Sequence, residues 1–576
     1  MARSTISLTD DEQQEVDEAL VERADYLPLD ELLAGTATSE FYENIQRSLL
    51  ARGTTLLEGP RGCGKTHMMR YAWLRCKEHS NLPLAIYASF NRYYRLEPFL
   101  KTRSDAAELF HSWVIANIIR GLQDVVRDIA PNALGDLFPD IGGELLGSIV
   151  TRLERGTPLP REERQVAESL SIELVLEYIE ACCDRLGRRR CIILLDDAAL
   201  TLTPEYLIEF FDIVRVLRTQ YTAPKASVYP GTDFGPRFHA HHEADRISAW
   251  LPIDDANYSG IMEEIGNRRI TGAPISPEVS EILKFAAFGI PRAYLTMVRD
   301  YVRLSRSQHS QQQLINRLLE EHVQGRRTEY KSLAIKMPRF ETLLETGLHL
   351  FEAMVFELKT ANNSEREDRQ LLVGIPDEDL TSNPLRERMV SLLVEAGLVY
   401  RYQSVSHGEH GVYQRYTPHV AALLAERVFS GGSRGYSPRT IVERLRSKPA
   451  KHPVRRKLSS LIGDDEISTL RLDLPPCRVC KTPRLNDNQK FCHACGSQLL
   501  DDSTFTRCMA LPLTSVPGLT QWQKNKIAAL PRLKTIGDLL ASQDPGTELR
   551  VIPFVGTKRA NRIVTLVTSH VEEFLS

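Results

Sequence analysis

The stretch Gly59-Pro60-Arg61-Gly62-Cys63-Gly64-Lys65-Thr66 fits the spacing G-x-x-x-x-G-K-[ST], the P-loop. Its glycines let the backbone curl so that N–H groups point inward at phosphates. The helix that follows adds partial positive charge at its N-terminus. Lys65 can then reach the β- and γ-phosphates, and the Thr66 hydroxyl can ligand Mg²⁺. A second stretch, Cys191-Ile192-Ile193-Leu194-Leu195-Asp196-Asp197, is an apolar run ending in two carboxylates, the Walker B pattern. Asp196 is placed to hold Mg²⁺, directly or through water. Asp197 occupies the place where a base polarises the attacking water. A third constellation is Cys477-Arg478-Val479-Cys480, eleven residues, then Cys492-His493-Ala494-Cys495-Gly496. Two C-x-x-C knuckles at this spacing bring four thiolates to one tetrahedral Zn²⁺. Such a closed site is structural, and His493, between ligands, is expected to point outward.

Elements of the right kind surround the phosphate loop. Residues 54–58 are β-branched and apolar and predict a buried strand, and residues 67–76 predict a helix. A short amphipathic helix is expected over 41–51 and a strand over 83–89. Long helices are expected over 104–130 and 163–186, separated by a Gly/Pro-rich break at 131–160. The apolar run before Asp196 needs a parallel strand buried on both faces. A further strand over 226–230 ends in Gly231-Thr232-Asp233, where a polar side chain could touch the γ-phosphate or the water. Arg246 is read as standing just before a last strand. A helical segment from Asp255 leads to Phe288-Gly289-Ile290-Pro291-Arg292-Ala293, which opens another helix.

Taken in this order, the motifs of residues 41–305 resemble an AAA+ ATPase, most similar to the origin-recognition-complex-like initiators, with overlap to the STAND NTPases. The resemblance implies an α/β P-loop core with a helical lid, ATP and Mg²⁺ as ligands, and a site shared between subunits. It makes Thr232 the sensor-1 residue and Arg292 the sensor-2 arginine. It makes Arg246 the arginine finger given to a neighbouring subunit, with Arg237 as rival. The family usually has Asp-Glu where this chain has Asp196-Asp197. The shorter side chain implies a slow, switch-like ATPase, and STAND proteins tolerate Asp-Asp.

The second half reads as modules in series. Residues 311–335 are polar and helical. A helix over 341–358, a second over 383–396 and two alternating runs over 398–405 and 412–417 resemble a winged helix. Arg386 and Arg388 are then candidates for the major groove, and Arg401 and Arg415 sit on the wing. Residues 434–457 hold nine cations against one acid, Glu443, and are expected to be an extended tether for nucleic acid. The cysteine knuckles resemble a zinc ribbon. Two phrases, Val516-Pro517-Gly518-Leu519-Thr520 and Ile552-Pro553-Phe554-Val555-Gly556-Thr557-Lys558-Arg559, resemble a paired helix-hairpin-helix domain. There backbone N–H groups meet a DNA phosphate. Thr520 and Phe554 stand where the pattern has glycine, so Gly556, Lys558 and Arg559 form the better phosphate site. The alternative is a five-helix protein-docking domain.

The bulk numbers agree with this layout. At 576 residues, three or four domains are expected. The composition is globular, 42% hydrophobic and 26% charged, and the net charge is −3, so DNA binding must come from local patches. No stretch suits a bilayer, and residues 1–22 are acidic with no apolar signal core, so a cytoplasmic protein is expected. The six cysteines outside the knuckles are expected to be reduced. The domains expected are an extension (1–40), the nucleotide core (41–253), the lid (254–305), a connector (306–338), the winged helix (339–430), the basic linker (431–476), the zinc ribbon (477–500) and the helix-hairpin-helix (501–576). The function expected is a slow ATPase, homo-oligomeric, controlling engagement of DNA. The alternative is a STAND-like ATP-dependent scaffold working with a separate effector protein.

Overall fold

The computed structural model describes residues 27–575, apart from 91–95, 98, 140, 198–203, 233, 236, 271–274, 306–309, 364–367, 409–410, 430–436, 478, 487–488, 490, 498, 500–503, 531 and 543. Most of the expected N-terminal extension, Asp233, Arg434 and Arg478 therefore lie outside the described residues.

The first half is built on a five-stranded parallel sheet. Its strands are β1 (Thr54–Glu58), β2 (Leu84–Ser89), β3 (Cys191–Asp196), β4 (Thr222–Val228) and β5 (Ala244–Ser248), in the order β2-β3-β4-β1-β5. Successive side chains of a strand face opposite ways. Leu57, Ile192 and Leu194 accordingly join one apolar core, while Leu56, Ile193 and Leu195 join another. Both faces are covered, which is why β3 had to be apolar throughout.

Strand β4 begins four residues earlier than expected. Pro224 and Lys225 disguise it: one lacks a ladder donor, and the other is a charge in a core position. Lys225 is fully buried, and its ammonium donates to Ser48 O, Gly53 O and Thr55 Oγ1 at 3.2, 2.8 and 2.9 Å. The expected break at 131–160 contains a helix, Gly143–Arg155, with Leu146, Ile149, Val150 and Leu153 buried. The helix expected over 163–186 is two, Arg161–Ser169 and Ile172–Arg185, the second capped by Ser171.

The lid comprises helices Tyr258–Arg269, Pro277–Ala286 and Pro291–Leu304. Proline opens the last two, at the position where a helix does not need an N–H donor. A connector helix, Gln311–Lys336, follows, started by a capping box of Ser310 and Gln313.

The next unit has helices Glu341–Asn363 and Pro384–Glu395. Its second sheet is formed by β6 (Val373–Pro376), β7 (Val399–Ser406), β8 (Val412–Pro418) and β9 (Val454–Arg455), in the order β7-β8-β6-β9. The expected hairpin is β7–β8, with a register irregularity between Tyr402 and Val405.

The basic stretch is not an extended tether. It folds back as helix Pro438–Arg446, then β9 pairs with β6. Two of its cations are met by acids distant in sequence: Arg446 pairs with Glu281 of the lid at 3.0 Å, and Arg456 with Glu357 at 2.7 Å. Ile441 and Leu445 are buried in the same core as the lid. A charge run whose partners lie 99 and 165 residues away reads locally as a solvated segment.

After the cysteine knuckles come five α-helices among the described residues: Thr504–Ala510, Gln521–Ala528, Ile536–Ala541, Pro545–Arg550 and Thr557–Leu575. No helix among the described residues is long and apolar enough to cross a membrane.

Candidate functional site

The loop Gly59–Thr66 joins β1 to helix Lys65–Glu78. Gly62 and Gly64 hold φ of 84° and 99°, a region that only glycine enters without strain. Gly59 is also required: a Cβ there would meet Cys63 Sγ at 2.6 Å. The curl turns the start of the helix inward. It also buries Lys65, whose ammonium donates to Gly59 O at 2.6 Å and Pro60 O at 3.2 Å. The Tyr229 ring, at the end of β4, lies 3.9 Å from the same ammonium. Burial pushes the Lys65 pKa down, which the Cys63, Asp197 and Asp196 side chains oppose.

Asp196 ends β3 and is completely buried. Its neighbours in the sheet aim it. Tyr87 Oη of β2 donates to Oδ2 at 2.9 Å, and Ser227 Oγ of β4 donates to Oδ1 at 2.8 Å. Asp197 follows at φ 51°, and its N–H donates to Asp196 Oδ1 at 3.0 Å and to Ser227 Oγ at 2.9 Å. The left-handed turn swings the second carboxylate away from the strand line. Tyr87, Ser227 and Tyr229 were not singled out from the sequence. Tyr87 and Ser227 lie on strands, and Tyr229 just past one, whose alignment with Asp196 or Lys65 only the fold supplies.

The lid meets the loop through Arg292. Its backbone N–H donates to Gly62 O at 3.3 Å, and a Cβ on Gly62 would come within 2.9 Å of Arg292 Cβ. Its guanidinium is near enough to oppose the protonation of Lys65. Thr232 sits just past β4. Its hydroxyl donates to Tyr229 O at 2.8 Å and closes the turn. Arg246 is inside β5 and not ahead of it. Its guanidinium reaches across to Glu58 Oε2 on β1 at 2.6 and 3.1 Å. Arg237 is more exposed and is held by Asp212.

The second sheet's unit is docked against this loop. A Cβ at Gly397 would sit 3.6 Å from Pro60 Cβ and 3.8 Å from Ile290 Cδ1. A Cβ at Gly231 would overlap the Glu395 carboxylate. Tyr400 packs edge-on against Trp250 with ring centroids 4.7 Å apart. Glu395 pairs with Arg388, whose guanidinium also stacks 5.0 Å from the Phe340 ring. Arg388 is therefore turned toward the interior of its unit. Arg386 donates to Asp379 O and Ser382 Oγ. Arg401 pairs with Glu387, and Arg415 donates to Gln403 O. All four arginines expected on a DNA face hold protein partners.

The four knuckle thiols converge. All four Sγ atoms lie within 4.8 Å of one another, with Cys477–Cys495 at 3.6 Å and Cys480–Cys492 at 3.5 Å. Four sulfurs at about 2.3 Å from a tetrahedral zinc would be about 3.8 Å apart, so the donor set fits that ion. Each knuckle closes with the same pair of backbone bonds. Lys481 N–H donates to Cys477 O, and Gly496 N–H to Cys492 O. Lys481, at φ 60°, takes the conformation that Gly496 has at 70°. Gly556 and Lys558 are exposed at the start of the last helix, and Arg559 Nη1 donates to Phe554 O at 2.9 Å.

The residues of the loop also fit a magnesium–nucleoside triphosphate. The buried ammonium donates to loop carbonyls that a phosphate can replace, and a buried carboxylate stands at the end of β3, two strands along the sheet from β1. Bound there, the nucleotide would supply the phosphoanhydride. Gly59–Thr66, Lys65 above all, would hold its phosphates, and Thr66 with Asp196 would hold the cation.

No protein-family profile and no curated protein matches the sequence. Solved structures are similar to it at low identity. A Walker-type ATPase of Pyrococcus abyssi has TM-score 0.36 and 14% identity, over 68% of this chain and 95% of that one. The Orc1 protein of Aeropyrum pernix in complex with DNA has TM-score 0.27 and 14% identity, over 69% and 95%. The Orc2 protein of Aeropyrum pernix, in ADPNP–ADP complexes, has TM-score 0.26 and 13% identity, over 77% and 96%. The chemistry of the site rests on its own residues.

Proposed function

We propose that this chain is a slow Mg²⁺-dependent ATPase of the origin-recognition-like AAA+ kind, which uses its nucleotide state to control engagement of DNA. The observation that carries the reading is the convergence of Lys65, Asp196 and the lid's Arg292 on one glycine loop. Asp197 is the base that polarises the attacking water, and Thr232 and Arg292 sense the γ-phosphate. Arg246, or the more exposed Arg237, completes the site of a neighbouring copy in a homo-oligomer. Zn²⁺ at Cys477, Cys480, Cys492 and Cys495 staples the ribbon. DNA contacts come from the exposed cations of the C-terminal helices, Lys558 and Arg559 among them, and from Arg386, Arg388, Arg401 and Arg415 if their partners release them. The setting is replication initiation, transposition or defence against mobile DNA. That the known structures include an Orc1 protein solved with DNA agrees with this reading.

A second reading has one observation in its favour. Gly397 and Glu395 press on the loop and on the end of β4, so nucleotide occupancy and placement of this unit are physically linked. A STAND-like scaffold, in which ATP binding licenses assembly with a separate effector and turnover is nearly dispensable, uses such a link. The deciding experiment is ATPase rate with and without duplex DNA over a range of salt. Stimulation that fades with salt supports the first reading. A rate indifferent to DNA, with ATP-dependent assembly, supports the second.

A further inference from the structure

The two hairpin phrases of the C-terminal helices share one backbone shape. Gly518 has φ 80°, and its counterpart Phe554 has φ 72°. The second hairpin therefore holds a bulky aromatic in a conformation that favours glycine. Nothing in the interior explains the side chain, because Phe554 is 80% exposed. Val551 beside it is 75% exposed, and Trp522, on the helix after the first hairpin, is 40% exposed.

These rings are set among cations. Lys526 Nζ lies 5.8 Å from the Trp522 ring and 5.7 Å from the Phe554 ring, bridging the two hairpins. Arg559 lies 5.3 Å from the Trp522 ring and fixes the hairpin by donating to Phe554 O. The stretches 516–534 and 551–571 contain Lys524, Lys526, Arg532, Lys534, Lys558, Arg559 and Arg562 and no acid. A chain of net charge −3 has here concentrated positive charge around exposed rings. Exposed aromatics within a cationic surface are what stacked bases and their phosphates require, and base stacking needs no particular sequence.

We propose that Phe554 and Trp522 form a stacking platform for unpaired DNA bases, with Lys526, Lys558 and Arg559 on the flanking phosphates. The proposal rests on the DNA reading above and narrows it, because paired bases in a duplex offer no free face to these rings.

The test uses the full chain, a labelled thymidine single strand of about 15 nucleotides and a duplex of the same length. Phe554→Gly removes the ring and relieves the backbone, and an unchanged denaturation midpoint separates weaker binding from misfolding. It is expected to weaken single-strand binding about ten- to hundredfold and leave duplex binding within about twofold. Phe554→Trp should keep the affinity. Trp522 emission should be quenched by the single strand, a signal lost in Trp522→Leu. Lys526→Gln should lower the salt slope for the single strand by about 0.7. If wild type binds neither DNA, the DNA reading falls and the platform with it. If wild type binds both and Phe554→Gly changes neither, or both equally, the platform alone falls. A surface built for a protein partner would leave Trp522 emission unchanged on adding DNA, and that result also overturns the proposal.

Discussion

The Lys65 ammonium donates to the carbonyl oxygen of Gly59, six residues before it in the same loop, over 2.6 Å. The loop thus neutralises its own lysine with backbone dipoles, and triphosphate must displace them. A charged hydrogen bond of this kind is worth about 1.5–3 kcal/mol. Lys65→Ala is expected to weaken ATP binding by roughly one to two orders of magnitude, measured by fluorescent-nucleotide titration. Unchanged affinity would remove the loop from the site.

Asp197 sits at φ 51°, a conformation that asparagine also tolerates. Asp197→Asn should therefore fold and bind ATP as wild type does. As a lost general base it should cut turnover by about 10²–10⁴. Single-turnover phosphate release separates the two effects. Undiminished turnover would assign the base elsewhere.

Glu395 fills the space that a side chain on Gly231 would need. Gly231→Ala should destabilise the protein, both by overlap and by its φ of 79°. Glu395→Ala should make room for that methyl group. It should also leave Arg388 without its carboxylate, in a partly buried site. Each single change is expected to lower the denaturation midpoint. In the double mutant the costs should fall short of additive by about 0.5–3 kcal/mol. Strict additivity would mean that the two residues do not touch in solution.

Lys225 gives the stability a pH signature. Burial pushes its ammonium down to about 7, whereas an unfolded lysine titrates near 10.4. Between these values the unfolded chain holds the extra proton, so the contribution of Lys225 to stability should rise as pH goes from about 7 to about 10, against the opposite slope that the buried Cys76, Cys182, Cys183 and Cys191 thiols, pushed up by burial, add at the alkaline end. Below about pH 7 both states are protonated and the slope from this residue vanishes. Urea unfolding at several pH values checks this. Lys225→Met should make the slope of stability against pH less positive between about 7 and about 10, and an unaltered slope would mean that Lys225 does not contribute to it.

Zinc removal should act locally. A strong chelator is expected to release one zinc per chain and open residues 477–500 to protease, with ATP binding intact. Cys477→Ser should reproduce this. Protein purified without zinc, yet equally resistant to protease, would count against the site.

What could be read from the sequence was what is local. The glycine loop, the apolar strand ending in Asp196 and the cysteine knuckles each carry their chemistry within a few residues. Tyr87 and Ser227 were invisible because each reaches Asp196 only through sheet register. Strand β4 was begun late because Pro224 and Lys225 argue against a strand until Ser48, Gly53 and Thr55 are seen to receive the ammonium. Residues 434–457 read as a tether because Glu281 and Glu357, which neutralise Arg446 and Arg456, are far away in the chain. The arginines of the second unit looked available for a different reason: their partners are near in the chain, but which side chain turns to which, Arg388 to Glu395 or Arg401 to Glu387, is set by the packing of helix on strand.

The closeness of Gly397 to Pro60 also bears on the protein's birth. Residues 60 and 397 are 337 positions apart, so the phosphate loop is made long before the residue that covers it. At 5–20 residues per second, synthesis leaves the loop uncovered for roughly 20–70 s. During that interval the loop's apolar rim, Ile290 included once it emerges, faces chaperones and solvent in place of its own chain. Nucleotide captured on the ribosome would meet the core first, and the second unit would then close over a loop already filled.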